Sequence, residues 1–153
     1  MPNRRDFIVS AAGLLLTAAW TRRVPASAPH QSITIYKSKT CGCCAKWVEH
    51  LQAKGFTTQV HDDESMDQVK ENLGVPSALR SCHTGLAGRY LIEGHVPAGD
   101  IRKLLAERPA VAGLAVPGMP SGTPGMAQSE ADAGNYVVLA FQLDGTSRPY
   151  AKH

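Results

Sequence analysis

The chain alternates between short β-branched runs and stretches with helical spacing. Ile33-Thr34-Ile35-Tyr36 reads as a short buried strand. After it, Cys44, Trp47, Val48 and Leu51 fall at i, i+3, i+4 and i+7, one apolar stripe with Lys46, Glu49 and Gln52 off it. That spacing predicts a helix, ended by Gly55. Residues 57–61 read as a second strand. Ser65 with Gln68 three positions on matches a capping box for a helix carrying Met66, Val69 and Leu73, stopped by Gly74. Val75-Pro76 then opens a loop containing Ser81-Cys82-His83-Thr84. Residues 88–93 are the third expected strand, and Gly94-His95-Val96-Pro97 is the turn out of it. Ile101, Leu104 and Leu105 mark a short helix that begins near Pro97. A Pro/Gly/Met segment follows at 117–126, then a polar linker at 128–135. The clearest strand is 136–143, and Asp144-Gly145 predicts a hairpin turn into 147–152. The alternating order predicts an α/β fold with a C-terminal β-hairpin, residues 29–153 forming a single domain.

Charge changes little in this picture. The formal net charge of +3 is carried by Arg4, Arg5, Arg22 and Arg23 against Asp6 within residues 1–28, which leaves 12 basic and 12 acidic groups in balance. No basic patch of the kind nucleic-acid binding needs is visible. Behind Arg4-Arg5, residues 8–20 form a mostly apolar run of 13, the size of a signal-peptide core and short for a bilayer span. Asn3-Arg4-Arg5-Asp6-Phe7-Ile8 resembles a twin-arginine export signal, and Ala26-Ser27-Ala28 resembles a cleavage site. Residues 1–28 are therefore expected to be an export signal, an ordinary secretory signal or an N-terminal anchor being the other readings. The mature protein, without a membrane span, is expected in an oxidising compartment, the bacterial periplasm.

The chemistry is concentrated at Cys41-Gly42-Cys43-Cys44. Cys41 and Cys44 make a C-x-x-C, and Cys41 and Cys43 a C-x-C. A strand–loop–helix unit places these sulfurs at a helix N-terminus, where unpaired amides and the helix dipole favour thiolate. Thiolate is both a redox nucleophile and a soft-metal ligand. Together with Cys82, His83, His95, Met119 and Met126, the cysteines form a donor set suited to Cu(I); thiolate-rich sites also serve zinc or an iron–sulfur cluster. A thiol–disulfide oxidoreductase would use Cys41 as attacking thiol and Cys44 as resolving thiol. It has no need of Cys43 between them, whereas bridging thiolates in a small multinuclear copper site do. Two structural disulfides would close small, strained rings. His83 and His95 stand as ligands or as ordinary hydrogen-bonded histidines, and Met119 and Met126 as ligands or as apolar plugs. His61 sits in an acidic turn, His30, His50 and His153 read as surface residues, and Trp47 as core. Sequence motifs of a substrate-pocket enzyme, G-x-S-x-G or H-E-x-x-H, are absent.

The series Cys41-Gly42-Cys43-Cys44, Gly74-Val75-Pro76, Ser81-Cys82-His83-Thr84, Tyr90-Leu91-Ile92-Glu93-Gly94-His95-Val96-Pro97 and Pro117-Gly118-Met119-Pro120 resembles a family of small exported copper-associated proteins with a C-x-C-C motif, some called CopG. The resemblance spans about residues 33 to 127. It implies a thioredoxin-like sandwich with a mixed sheet and Val75-Pro76 as candidate for a cis-proline. It also implies Cu(I) held by the C-x-C-C cysteines with the later Cys and neighbouring His and Met residues. The partners it implies are copper ions and other periplasmic copper-resistance proteins, and the role copper resistance or homeostasis, with copper redox chemistry as a further activity.

Overall fold

The computed structural model describes residues 31–127 and 133–153. The expected export signal at 1–28, His30 and part of the polar linker lie outside them. Among the described residues, seven strands form one mixed sheet in the order β2-β1-β3-β4-β5-β6-β7. In chain order the elements are β1 (Ser32–Lys37), α1 (Gly42–Ala53), β2 (Thr57–Asp62), α2 (Met66–Asn72), β3 (His83–Ala87), β4 (Tyr90–Glu93), α3 (Ala98–Glu107), β5 (Gly113–Ala115), β6 (Val137–Phe141) and β7 (Ser147–Lys152). β1 runs parallel to β2 and antiparallel to β3; β4 runs parallel to β5, and β6 and β7 close the expected hairpin.

Alternation along the strands separates two cores. Ile33, Ile35, Ile92, Leu114, Val138 and Ala140 face α1 and α3, where Trp47, Val48, Leu51, Ile101 and Leu104 complete the larger cluster. Leu91, Ala115 and Phe141 face the other way and pack against Val75 and Leu79, in the segment after α2. The α1 stripe read from the sequence is the buried face of that helix: Cys44, Trp47, Val48 and Leu51. Gly55 follows the helix with φ +86°, a conformation that L side chains rarely adopt.

Several expectations need correction. His83 and Thr84 are not in a loop; they open β3, paired with Lys37 and Tyr36 of β1. β3 is covered on both faces, so it lacks the polar–apolar alternation that announces a half-exposed strand. What read as one strand at 88–93 is the second half of the β3–β4 hairpin, whose turn is at Gly88-Arg89. β5 is only three residues long and has no period to detect. Ser65 makes no side-chain cap; its own N–H is instead bonded by Asp63 Oδ1 at 2.7 Å. Val75-Pro76 is trans, as is every peptide bond among the described residues.

Candidate metal centre

β1 delivers the chain to a tight turn, Cys41 N–H donating to Ser38 O at 3.1 Å, and α1 begins one residue later. Cys41 is the N-cap residue without a side-chain cap, and no acidic side chain occupies the first turn. The cysteines thus stand at the N-terminus of α1, where the helix dipole lowers the cost of negative charge. Cys41 and Cys44 are joined in a disulfide. Cys43 and Cys82 are free and half-buried, and Cys43 Sγ lies 3.5 Å from Cys41 Sγ.

The second wall comes from β3. Cys82 immediately precedes it, and its Sγ contacts two imidazoles: His83 Nδ1 at 3.2 Å and His95 Nε2 at 3.1 Å. His83 is fully buried, with its ring 4.2 Å from the Trp47 ring and no hydrogen-bond partner for Nε2. His95 sits in the turn after β4, where Gly94 adopts φ +73°. A Cβ on Gly94 would lie 2.6 Å from both Ser81 Oγ and Val116 O, so only glycine lets this turn close on the Cys82 segment.

The third wall is the Pro/Gly/Met segment, which crosses the site as a strap. His95 Nδ1 donates to Pro124 O at 2.7 Å. That bond leaves Nε2 as a lone-pair donor towards Cys82. Gly125, at φ +86°, lies against the first turn of α1: a Cβ there would be 2.8 Å from Trp47 N and 2.9 Å from Cys43 O. Met126 lines a groove with Gly42, Cys43 and Lys46. Met119 is 42% exposed on the outer part of the strap.

Burial sets the protonation states. It pushes the Cys82 thiol up to about 12, with the neighbouring Cys43 adding to the effect. Burial also holds His83 well below its ordinary value, assisted by the His95 ring and the Lys70 ammonium, and lowers His95 against the opposing pull of Pro124 O. Burial thus favours the uncharged forms of the Cys82 thiol and of both imidazoles around it.

Of the residues expected from the sequence, Cys41, Cys43, Cys44 and Cys82 bring their sulfurs within 4.8 Å of one another, and Cys82, His83 and His95 form a second such group sharing Cys82. These clusters can hold a metal ion. Met126 lines the same groove as Cys43, whereas Met119 is partly exposed. Sequence reasoning missed two charged groups behind the site: Lys70 and Glu93, both buried and 2.5 Å apart. The signal was present, since Lys70 falls on the Met66/Val69/Leu73 stripe and Glu93 ends an apolar strand. His153, read as a surface residue, contacts Asp100 Oδ2 at 2.8 Å and stacks on Tyr136.

A family model described as a protein of unknown function, DUF411, matches residues 79–126, the stretch that carries Cys82, both site histidines and the strap. No curated protein matches. Two solved structures do, titled copper resistance protein CopG, form 1 and form 2. Each is 41% identical and covers 80% of this chain; they are matched over 97% and 98% of their own lengths, with TM-scores of 0.74 and 0.73. Identity at this level, across nearly the whole of the related chains, shows that this protein belongs to the CopG-type copper-resistance family.

Proposed function

We propose that the protein holds Cu(I) as cargo in the periplasm, for copper resistance or homeostasis, through Cys41, Cys43, Cys44 and Cys82 with support from His83, His95, Met126 and Met119. The observation that carries this reading is the convergence of four sulfurs within 4.8 Å, one of them against two imidazoles. Thiolate, thioether and imidazole are the donors that suit Cu(I), and sulfurs this close can each bridge two ions, which favours a multinuclear site. The related structures titled copper resistance proteins support copper as the metal, and the expected export signal supports the periplasm. We read the β1-α1-β2 unit and the β3-β4-α3 unit, with sheet order β2-β1-β3-β4, as a thioredoxin-like core.

The Cys41–Cys44 disulfide favours a second reading, thiol–disulfide exchange with Cys41 attacking and Cys44 resolving. The two activities connect through one step. Reduction of the disulfide by two electrons, with uptake of two protons, releases the two thiols that copper then needs as thiolates. Cys43→Ser separates the readings. Under the copper reading it lowers the copper bound per chain while Cys41 and Cys44 still cycle between disulfide and dithiol. Wild-type copper content in Cys43→Ser, together with full disulfide cycling, would leave only the oxidoreductase.

A further inference from the structure

We propose that the buried Lys70–Glu93 pair is a positioning device that fixes Cys82 for copper, a role that rests on the copper reading of the cysteine cluster. Glu93 has no exposed surface; paired with Thr84 across the β3–β4 ladder and next to Ile92, which faces α1, it points to the opposite face of the sheet. Its Oε1 accepts from Lys70 Nζ at 2.5 Å and from the Ser81 backbone N–H at 2.6 Å. Its Oε2 accepts from Thr84 Oγ1 at 2.7 Å, and Lys70 Nζ donates to the same hydroxyl at 2.8 Å. Ser81 and Thr84 bracket Cys82 and His83. One carboxylate therefore grips both ends of the four-residue segment that brings the fourth sulfur and an imidazole to the site.

Two further features give this grip its meaning. The Ser81 hydroxyl has no hydrogen-bond partner, so the residue before Cys82 is held through its backbone N–H. Burying an ion pair also brings a desolvation cost that well-packed apolar side chains avoid, so core stability does not by itself call for one. What an apolar pair cannot do is accept the Ser81 N–H and orient Thr84. Groups behind metal ligands act in this way, by fixing the ligand atom within a fraction of an ångström.

The test compares wild-type protein, the double variant Lys70→Met/Glu93→Leu and its rescue form Lys70→Met/Glu93→Gln, all reduced and metal-free at the start. The rate of Cys82 alkylation relative to Cys43 is followed by mass spectrometry without copper. Cu(I) affinity is then measured by competition with a chromogenic chelator. The double variant replaces the pair by apolar side chains and removes the acceptor; its Cys82 should alkylate faster, and its Cu(I) affinity should fall by about 10–100-fold, the usual effect of losing such a support. The rescue form restores a carbonyl oxygen for the Ser81 N–H without leaving a buried ammonium unpaired, and should recover most of the Cys82 protection and Cu(I) affinity lost in the double variant. A folded double variant with wild-type alkylation and wild-type affinity overturns the proposal. If the double variant does not fold, Thr84→Val, which releases one end of the segment, is read the same way: faster Cys82 alkylation supports the role, and an unchanged rate overturns it. Because alkylation is read without copper, a wild-type protein that binds no Cu(I) would sink the copper reading alone.

Discussion

Gly125 is where the strap bears on the cysteine loop, and its replacement by alanine gives a prediction whose size follows from the structure. At φ +86° an L residue is strained, by about 1–2 kcal/mol. The added methyl also has nowhere to go, because its nearest neighbours are backbone atoms, Trp47 N at 2.8 Å and Cys43 O at 2.9 Å. Overpacking of that kind costs about 1–3 kcal/mol. Gly125→Ala should therefore destabilise by about 2–5 kcal/mol if the strap stays seated, a fall of roughly 8 °C or more in Tm for a domain of this size. If the strap lifts instead, the loss is smaller, but Cys43 becomes open to thiol reagents. Gly118→Ala is the internal control: φ is +74°, yet nothing lies within 4 Å of the added methyl, so only the conformational cost of about 1–2 kcal/mol applies. Thermal denaturation and Cys43 alkylation of the two variants decide the matter. A Gly125→Ala protein no less stable than Gly118→Ala, with Cys43 as protected as in wild type, would refute the seating of the strap on α1.

Three further outcomes are expected. Burial lowers His50, His83 and His95 below the ordinary histidine value of 6.5, so the unfolded chain takes up their protons first as pH falls. Their contribution is complete above pH 6.5 and is lost below it, by up to about 1.4 kcal/mol per pH unit for each histidine. Glu93, raised by burial against the pull of Lys70, acts in the opposite sense, but as one group against three. Denaturant unfolding of the metal-free protein should thus show lower stability at about pH 5.5 than at about pH 7.5; equal stability would contradict the burial of these rings. Trp47→Phe removes the indole N–H that donates to Val96 O at 2.8 Å and leaves that carbonyl unpaired, which should cost at least about 1–3 kcal/mol in the same assay. With the Cys41–Cys44 disulfide intact only Cys43 and Cys82 are free thiols, so metal analysis should find less copper on oxidised than on reduced protein.

The sequence made the central α/β unit readable because periodicity there is strong. The Cys44/Trp47/Val48/Leu51 stripe is the buried face of α1, and Asp144-Gly145 marks the β6–β7 turn. The cysteine cluster was readable as well, since three sulfurs are adjacent in the chain and the fourth lies beside a histidine. What was not readable depends on contacts across long separations. β3 hides because it is buried on both faces, and its first residue, His83, reads as polar. The bond from His95 to Pro124 O and the seating of Gly125 on Cys43 involve backbone atoms that carry no sequence signature. Lys70 and Glu93 each sit on an otherwise apolar face, and their pairing, 23 residues apart, shows only when α2 lies on the sheet and Lys70 reaches across to β4.

The central claim is that the four sulfurs, once reduced, form a Cu(I) site. It is tested most directly by anaerobic titration of the fully reduced protein with Cu(I) against a competing chelator, with metal analysis and thiol counting at the end point. Tight binding of more than one copper per chain is expected, with all four thiols becoming inaccessible as the site fills. Weak binding, with Cys41 and Cys44 still freely cycling between dithiol and disulfide in the presence of copper, would contradict it.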